Sequence, residues 1–349
     1  MLTRADLDAL PTYVPGKTVP GAIKLASNEV PYGPLPGVVD AIAEAAANAH
    51  RYPDMGVLAL RAALAERLGV AEDRIATGCG SVGLAEHLVK AACRDGDEVL
   101  YSWRSFEAYP IIAATAGARG VGVPNTPGHG HDLPAMAAAI GDRTRLVLVC
   151  NPNNPTGTPV RAAELDAFLD EVGPDVLVVL DEAYREFVTD PDVPDGVVRY
   201  ADRPNVVVLR TMSKAWGLAG LRVGYLVAQP SVAAAVRKVI TPFSTSMVAQ
   251  AAALAALGQS EEMARRAALV VDERERVASA LGKLFPDVPP TQANFVWLPL
   301  RDRAEAFAAA CTAANIVVRP FAGDGVRITI GTPEENDAFL SVAEAFPTA

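Results

Sequence analysis

Lys214 lies between a hydroxyl residue, Ser213, and a large apolar one, Trp216, in the stretch Val206 to Gly224, VVVLRTMSKAWGLAGLRVG, with Arg222 eight residues further on. An ordinary lysine amine, with a pKa of about 10.4, is a poor nucleophile at neutral pH. Desolvation and a neighbouring cation push it toward the neutral form, and imine formation removes its charge. Arg222 can supply that cation while gripping a phosphate. The grouping suits a Schiff-base lysine beside a phosphate site, and a surface lysine after a strand is the plain alternative for an isolated Ser-Lys pair. Asp181 ends the apolar run Val176 to Leu180, where an unpaired carboxylate is costly to bury, so it needs a cation: a protonated ring nitrogen or an arginine. Tyr184, three residues later, can bring a hydroxyl to the same place, and Asn154 in NPNNPTG can donate to a phenolate oxygen.

GCGSVG (Gly78 to Gly83) follows a strand pattern and opens a helix. It matches the dinucleotide fingerprint formally, but the acidic residue which that fingerprint wants after the next strand is missing, since Asp97 and Glu98 precede it. A cup is favoured instead, with the backbone N–H groups of Gly80, Ser81 and Val82 at a helix N-terminus holding a single phosphate. Lysine, carboxylate, phosphate cup and hydroxyl or amide donors together match each functional group of pyridoxal 5'-phosphate.

These residues must stand on rigid elements. Val206 to Leu209 reads as a buried parallel strand, delivering Arg210 to Lys214 beyond its carboxyl end, where open α/β sheets bind ligands. Further strand patterns occur at Arg74 to Thr77, Asp97 to Tyr101, Gly120 to Val123, Arg145 to Cys150 and Leu221 to Val227, with helical patterns between many of them. That alternation predicts an α/β fold, a mostly parallel sheet covered on both faces. Thr158-Pro159 reads as an N-cap with proline at the first helical position, opening a helix over Arg161 to Val172. After about Thr245 the texture changes to Ala-rich helices over Met247 to Leu257 and Glu261 to Leu284, then to strands at Asn294 to Leu298, Ile316 to Val318 and Val326 to Ile330. Thr332-Pro333-Glu334-Glu335 announces a last helix by a capping box. The expected division is an N-terminal arm at 1–35 packing with the small domain, a large domain at 36–245, and a smaller α+β domain at 246–349.

Composition limits the partners. The 349 residues carry a formal charge of -10, which argues against nucleic-acid or anionic-membrane surfaces. No run approaches the ~18 apolar residues of a membrane span. Four cysteines, at 79, 93, 150 and 311, stand far apart with no C-x-x-C pair, which suits small core hydrophobes in a reducing cytoplasm better than a disulfide or metal framework.

NPNNPTG (Asn151 to Gly157), DEAY (Asp181 to Tyr184), LRTMSKAWGLAGLRVGY (Leu209 to Tyr225) and VRITIGTPEEN (Val326 to Asn336), with KLASNEVPYGP and RYPD, resemble the histidinol-phosphate aminotransferase family of fold-type I pyridoxal-phosphate enzymes. GCGSVG, WRSFEAYP and QANFVWLPL look most like its actinobacterial aromatic-amino-acid branch. The resemblance implies that Lys214 condenses with the cofactor's aldehyde and Asp181 pairs with its ring nitrogen. Asn154 and Tyr184 would face the ring oxygen and Phe106 would stack on the ring, where relatives often carry tyrosine. Thr211, Ser213 and Arg222 would hold the phosphate with the turn at Gly80, Ser81 and Val82, and Tyr52 would reach it from the other subunit of a homodimer. Arg327 would clamp the substrate carboxylate, helped by Asn28 or Asn154. Arg319 stands where histidinol-phosphate enzymes keep an arginine for the substrate phosphate, whereas Tyr13, Phe106, Tyr109 and Phe321 could wall an apolar side-chain pocket. The implied reaction is transamination between aromatic L-amino acids and 2-oxo acids, with 2-oxoglutarate as partner; histidinol phosphate is the alternative substrate. A nicotinamide oxidoreductase would leave Lys214, Asp181 and Asn154 without roles.

Overall fold

A computed structural model describes residues 19–347, together with Asp8 and Leu10. Strand β1 (Ile23–Lys24) precedes the main sheet, which contains β2 (Ile75–Cys79), β3 (Glu98–Trp103), β4 (Arg119–Pro124), β5 (Thr144–Cys150), β6 (Leu177–Asp181), β7 (Val206–Thr211) and β8 (Val223–Val227). Their order across the sheet is β2-β8-β7-β6-β5-β3-β4. The strands from β4 through β7 are parallel, whereas β8 runs antiparallel to both β7 and β2.

The expected α/β class is thus found, with one departure at the lysine strand. Only a turn of 3-10 helix, Ala219–Leu221, lies between β7 and β8. A parallel return needs a crossover of a dozen or more residues, so the chain turns straight back instead. That reversal is what brings Arg222 beside Ser213.

Helices cover the sheet: α1 (Val38–Ala46), α2 (Leu58–Leu68), α3 (Gly80–Ala92), α4 (Ala108–Thr115), α5 (Leu133–Ala138), α6 (Ala162–Glu171), α7 (Gly196–Tyr200), α8 (Pro230–Val239) and α9 (Met247–Leu257). Val147, Val149, Val178, Leu180, Val206 and Val208 pack on one face, and Leu146, Leu148, Val179, Val207 and Leu209 on the other. This is why the central strands read as near-continuous apolar runs rather than alternating ones. The helices α7 and α8 were not among those expected; α8 opens on a proline at its first turn and buries Ala233 and Val236 on one face.

One cap differs from expectation. α6 begins at Ala162 with Arg161 at the N-cap position, and the Glu164 carboxylate accepts from the Arg161 N–H at 3.0 Å. Thr158 instead lies in the buried loop before it, donating to the His129 carbonyl at 3.0 Å. A first-turn glutamate satisfies the orphan donor there, so the threonine is not needed as a cap.

The C-terminal part holds α10 (Ser260–Leu284), β9 (Phe295–Leu298), α11 (Ala304–Ala313), β10 (Ile316–Val317), β11 (Arg319–Phe321), β12 (Gly325–Thr329) and α12 (Pro333–Ala345). β11, β12 and β9 form an antiparallel sheet, and β1 pairs in parallel with β10. The capping box on α12 is present, with Thr332 accepting from the Glu335 N–H and Glu335 accepting from the Thr332 N–H. α10 carries a fully buried arginine, Arg274, which donates to the Phe187 carbonyl at 2.7 Å and so ties this part to the loop after β6.

Cys93, Cys150 and Cys311 are buried as small core residues, but Cys79 is exposed because it ends an edge strand. No helix among the described residues is long and apolar enough to cross a membrane.

Candidate active site

A cavity of about 310 Å³ opens at the carboxyl ends of β5, β6 and β7, the position where parallel sheets converge their loops. Asn28, Ser81, Val82, Phe106, Asn154, Asp181, Tyr184, Thr211, Ser213, Lys214, Arg222, Arg319 and Arg327 all line it.

Asp181 is the last residue of β6, and its carboxylate is buried on the floor. Its Oδ2 accepts a hydrogen bond from the Tyr109 hydroxyl at 2.8 Å, while Oδ1 has no partner. Burial raises its pKa to about 6, against the opposing pull of Tyr109, the Ala183 N–H and Lys214. Such an orphaned acceptor is costly unless a cationic donor meets it.

Lys214 lies three residues beyond β7, and its Nζ donates to the Ser27 carbonyl at 3.0 Å. Desolvation lowers its pKa to about 7, with Arg327 and then Arg222 adding cationic repulsion that Glu29 partly offsets. The amine is therefore largely primed for nucleophilic attack near neutral pH.

The phosphate cup is built by close approach. Gly80 has φ +73°, and a Cβ there would stand 2.5 Å from Arg222 Nη2; a Cβ on Gly224 of β8 would stand 2.4 Å from the Ser81 nitrogen. Two glycines thus let the N-terminus of α3 press onto β8 and Arg222 onto the turn. Arg222 donates to Ser213 Oγ at 3.1 Å, and Thr211 Oγ1 donates to the same oxygen at 3.0 Å. Backbone N–H groups, two hydroxyls and a guanidinium converge as an anion site.

The opposite wall comes from the arm and the small sheet. Arg327 on β12 donates to Asn154 Oδ1 and to the Ala26 carbonyl, the latter at 2.8 Å. Asn28, held at φ 56°, donates through Nδ2 to the Tyr184 hydroxyl at 2.9 Å and accepts from Thr329 Oγ1 at 3.1 Å. Burial raises the Tyr184 pKa above its usual value, which keeps its hydroxyl protonated. Arg319 pairs with Glu107 at 2.7 Å, and its guanidinium lies 5.4 Å from the Phe321 ring centre.

Three expected residues need separate comment. Tyr109 does not wall the cavity: it is fully buried beneath it, edge-on to Phe106 with ring centres 5.5 Å apart. Tyr52 lies outside its own chain's cavity, 79% exposed and stacked on Phe243 at 4.5 Å. Tyr13 falls outside the described residues. Sequence reasoning missed Glu107 and the bond from Tyr109 to Asp181. Both residues stand in WRSFEAYP, but no local spacing signals their partners.

A ligand that offers a carbonyl to Lys214, a cationic ring nitrogen to Asp181 Oδ1 and a phosphate to the α3 cup is pyridoxal 5'-phosphate, and the residues present fit it. A sheet of this order, with the strand after the lysine strand turning back antiparallel, is that of the fold-type I enzymes that use this cofactor. Comparison with known proteins narrows the class. Residues 20–342 match the model of the aminotransferase class I and II family, and the chain belongs to that family. It is 59% identical over 347 residues to an aromatic amino acid aminotransferase of Streptomyces coelicolor, covering 98% of this chain and 97% of the relative. A protein of the same name from Rhodococcus jostii is 60% identical over 341 residues, covering 98% and 95%. The histidinol-phosphate aminotransferase of Sinorhizobium meliloti, solved with pyridoxal-5'-phosphate, superimposes with a TM-score of 0.84 at 30% identity, covering 93% of this chain and 91% of that one.

Proposed function

We propose that this aminotransferase exchanges the amino group between aromatic L-amino acids, phenylalanine and tyrosine foremost, and 2-oxo acids, with 2-oxoglutarate as the other partner. The observation that carries the substrate is the 55–60% identity, over nearly the whole chain, to proteins named aromatic amino acid aminotransferase. Phe106 and Phe321 on the cavity wall support it, since aromatic faces suit an aromatic side chain.

The residues divide the work as follows. Bound pyridoxal phosphate supplies an electrophilic carbonyl and an electron-withdrawing ring. Lys214 Nζ, whose pKa burial lowers to about 7, would hold the cofactor and would be the general base for the proton at the substrate Cα. Asp181 Oδ1 would accept a hydrogen bond from the protonated ring nitrogen, Tyr184 and Asn154 would donate to the ring oxygen, and Phe106 would cover the ring face. Gly80, Ser81, Val82, Thr211, Ser213 and Arg222 hold the phosphate. Arg327, whose guanidinium donates to Asn154 Oδ1, would clamp the substrate carboxylate with a planar two-pronged fork, helped by Asn28 or Asn154.

The same proposal includes a homodimer in which Tyr52 completes the phosphate site of the other subunit. Its support is the exposure of the large apolar side chains Val39, Tyr52, Met55, Leu58 and Phe243, of which Tyr52 and Phe243 stack on each other. It also divides the chain at 1–35, 36–245 and 246–349, on the ground that the two larger sheets are separate hydrogen-bonded units, with α9 packing back across the second boundary onto α1 and α2 of the large domain. A cytoplasmic setting is part of it, supported by the scattered cysteines.

Arg319 on the cavity wall favours a second reading, histidinol phosphate as donor. A panel of amino donors with 2-oxoglutarate, and kcat/KM for phenylpyruvate against the reaction of histidinol phosphate, separates the two. A large advantage for the phosphate ester overturns the aromatic assignment.

A further inference from the structure

Arg319 and Glu107 meet across the mouth of the cavity from segments 212 residues apart in sequence. Arg319 belongs to β11, and Glu107 directly precedes α4 beside the ring of Phe106. Both line the cavity, with side-chain exposures of 12% and 30%. Between them and Arg327 lies Phe321, whose ring centre is 5.4 Å from the Arg319 guanidinium, 5.4 Å from that of Arg104 and 5.8 Å from that of Arg327. Arg104 is itself paired with Asp324 at 2.5 Å. Two of the three cations around this ring therefore have a carboxylate of the same chain against them. The distal wall is an aromatic face edged by closed ion pairs, rather than an open cationic patch.

We propose that Glu107 is a specificity-determining residue: it competes, as a tethered carboxylate, with any second anion that a substrate would offer to Arg319. The inference rests on the aromatic reading above and deepens it. An uncharged aromatic side chain leaves the pair closed and lies against Phe321. A substrate whose side chain ends in a carboxylate or phosphate, the partner 2-oxoglutarate included, must displace Glu107, because two anions cannot share one guanidinium fork without mutual repulsion. A partly exposed pair is weak enough to be displaced, so such substrates are handicapped rather than shut out.

The test uses holoenzyme and two unreactive acids, glutarate with two charges and 3-phenylpropionate with one, each titrated by the absorbance of the bound cofactor. In Glu107→Gln the ratio of the glutarate Kd to the 3-phenylpropionate Kd is expected to fall about tenfold. In the double variant Glu107→Gln/Arg319→Met it should return to the wild-type value or rise above it. A ratio unmoved by Glu107→Gln overturns the proposal, and so does a fall that persists without Arg319. The aromatic reading fails separately, if wild-type holoenzyme does not turn over phenylalanine, whichever way the ratio moves.

Discussion

The floor of the cavity and its distal wall are built by different physics. Asp181, Thr211, Ser213, Lys214 and Arg222 stand on or just beyond adjoining strands of one sheet, and Asp181 and Lys214 have pKa values moved by burial to about 6 and about 7. Arg104, Arg319, Glu107 and Asp324 stand on loops and a short antiparallel sheet, and their charges are compensated in partly exposed pairs. The floor holds uncompensated groups in place at a cost in stability, as a site prepared for one invariant ligand requires. The wall holds compensated groups that can exchange partners, as a surface that must admit more than one side chain requires.

Substitutions can break this contrast, and the largest effect is expected on the floor. Lys214→Ala should lower the transamination rate by about 10⁴-fold or more and abolish the absorbance of covalently held cofactor; steady-state kinetics and a spectrum check both. Asp181→Asn should still bind the cofactor, measured by spectral titration, while losing about 10²–10³-fold in kcat, the range seen when a single electrostatic stabiliser is removed.

The stability cost of the floor is itself measurable. The folded pKa of Asp181 is raised to about 6, so below the unfolded value both states are protonated and the fold suffers no charge penalty. As pH rises through about 4 to 6, the unfolded state loses its proton first, and stability falls. Over that window the protein without cofactor should lose up to about 3 kcal/mol that Asp181→Asn does not lose, as read by denaturant unfolding at each pH. Tyr109→Phe should deepen the penalty by about 1.5–3 kcal/mol, the worth of a hydrogen bond to a charged group, and raise the Asp181 pKa further. The smallest effect belongs to the wall: Arg104→Gln should shift unfolding by about 1 kcal/mol or less, since its partner Asp324 is well exposed. A wall substitution costing as much as a floor one would erase the distinction.

Much of this molecule was legible before its fold was known, for reasons that differ by region. The parallel strands declared themselves because strands buried on both faces must be apolar throughout, as in Val206 to Leu209. The end of α2 at Leu68 likewise has a local cause in Gly69, whose φ of 65° needs a residue without a Cβ penalty. The antiparallel run of β8 was not foreseen, although the short connection between Thr211 and Val223 already argues against a parallel crossover.

What the sequence alone determined is the set of groups on the floor: an apolar strand ending in a carboxylate, another ending near an amine, and a glycine turn opening a helix are local patterns with local causes. Only the tertiary structure decided who their partners are. Tyr109 meets Asp181 across 72 residues, Asn28 meets Tyr184 across 156, and Arg319 meets Glu107 across 212. Hydrogen bonds and ion pairs depend on proximity in space, and no spacing along the chain encodes a proximity that only packing creates.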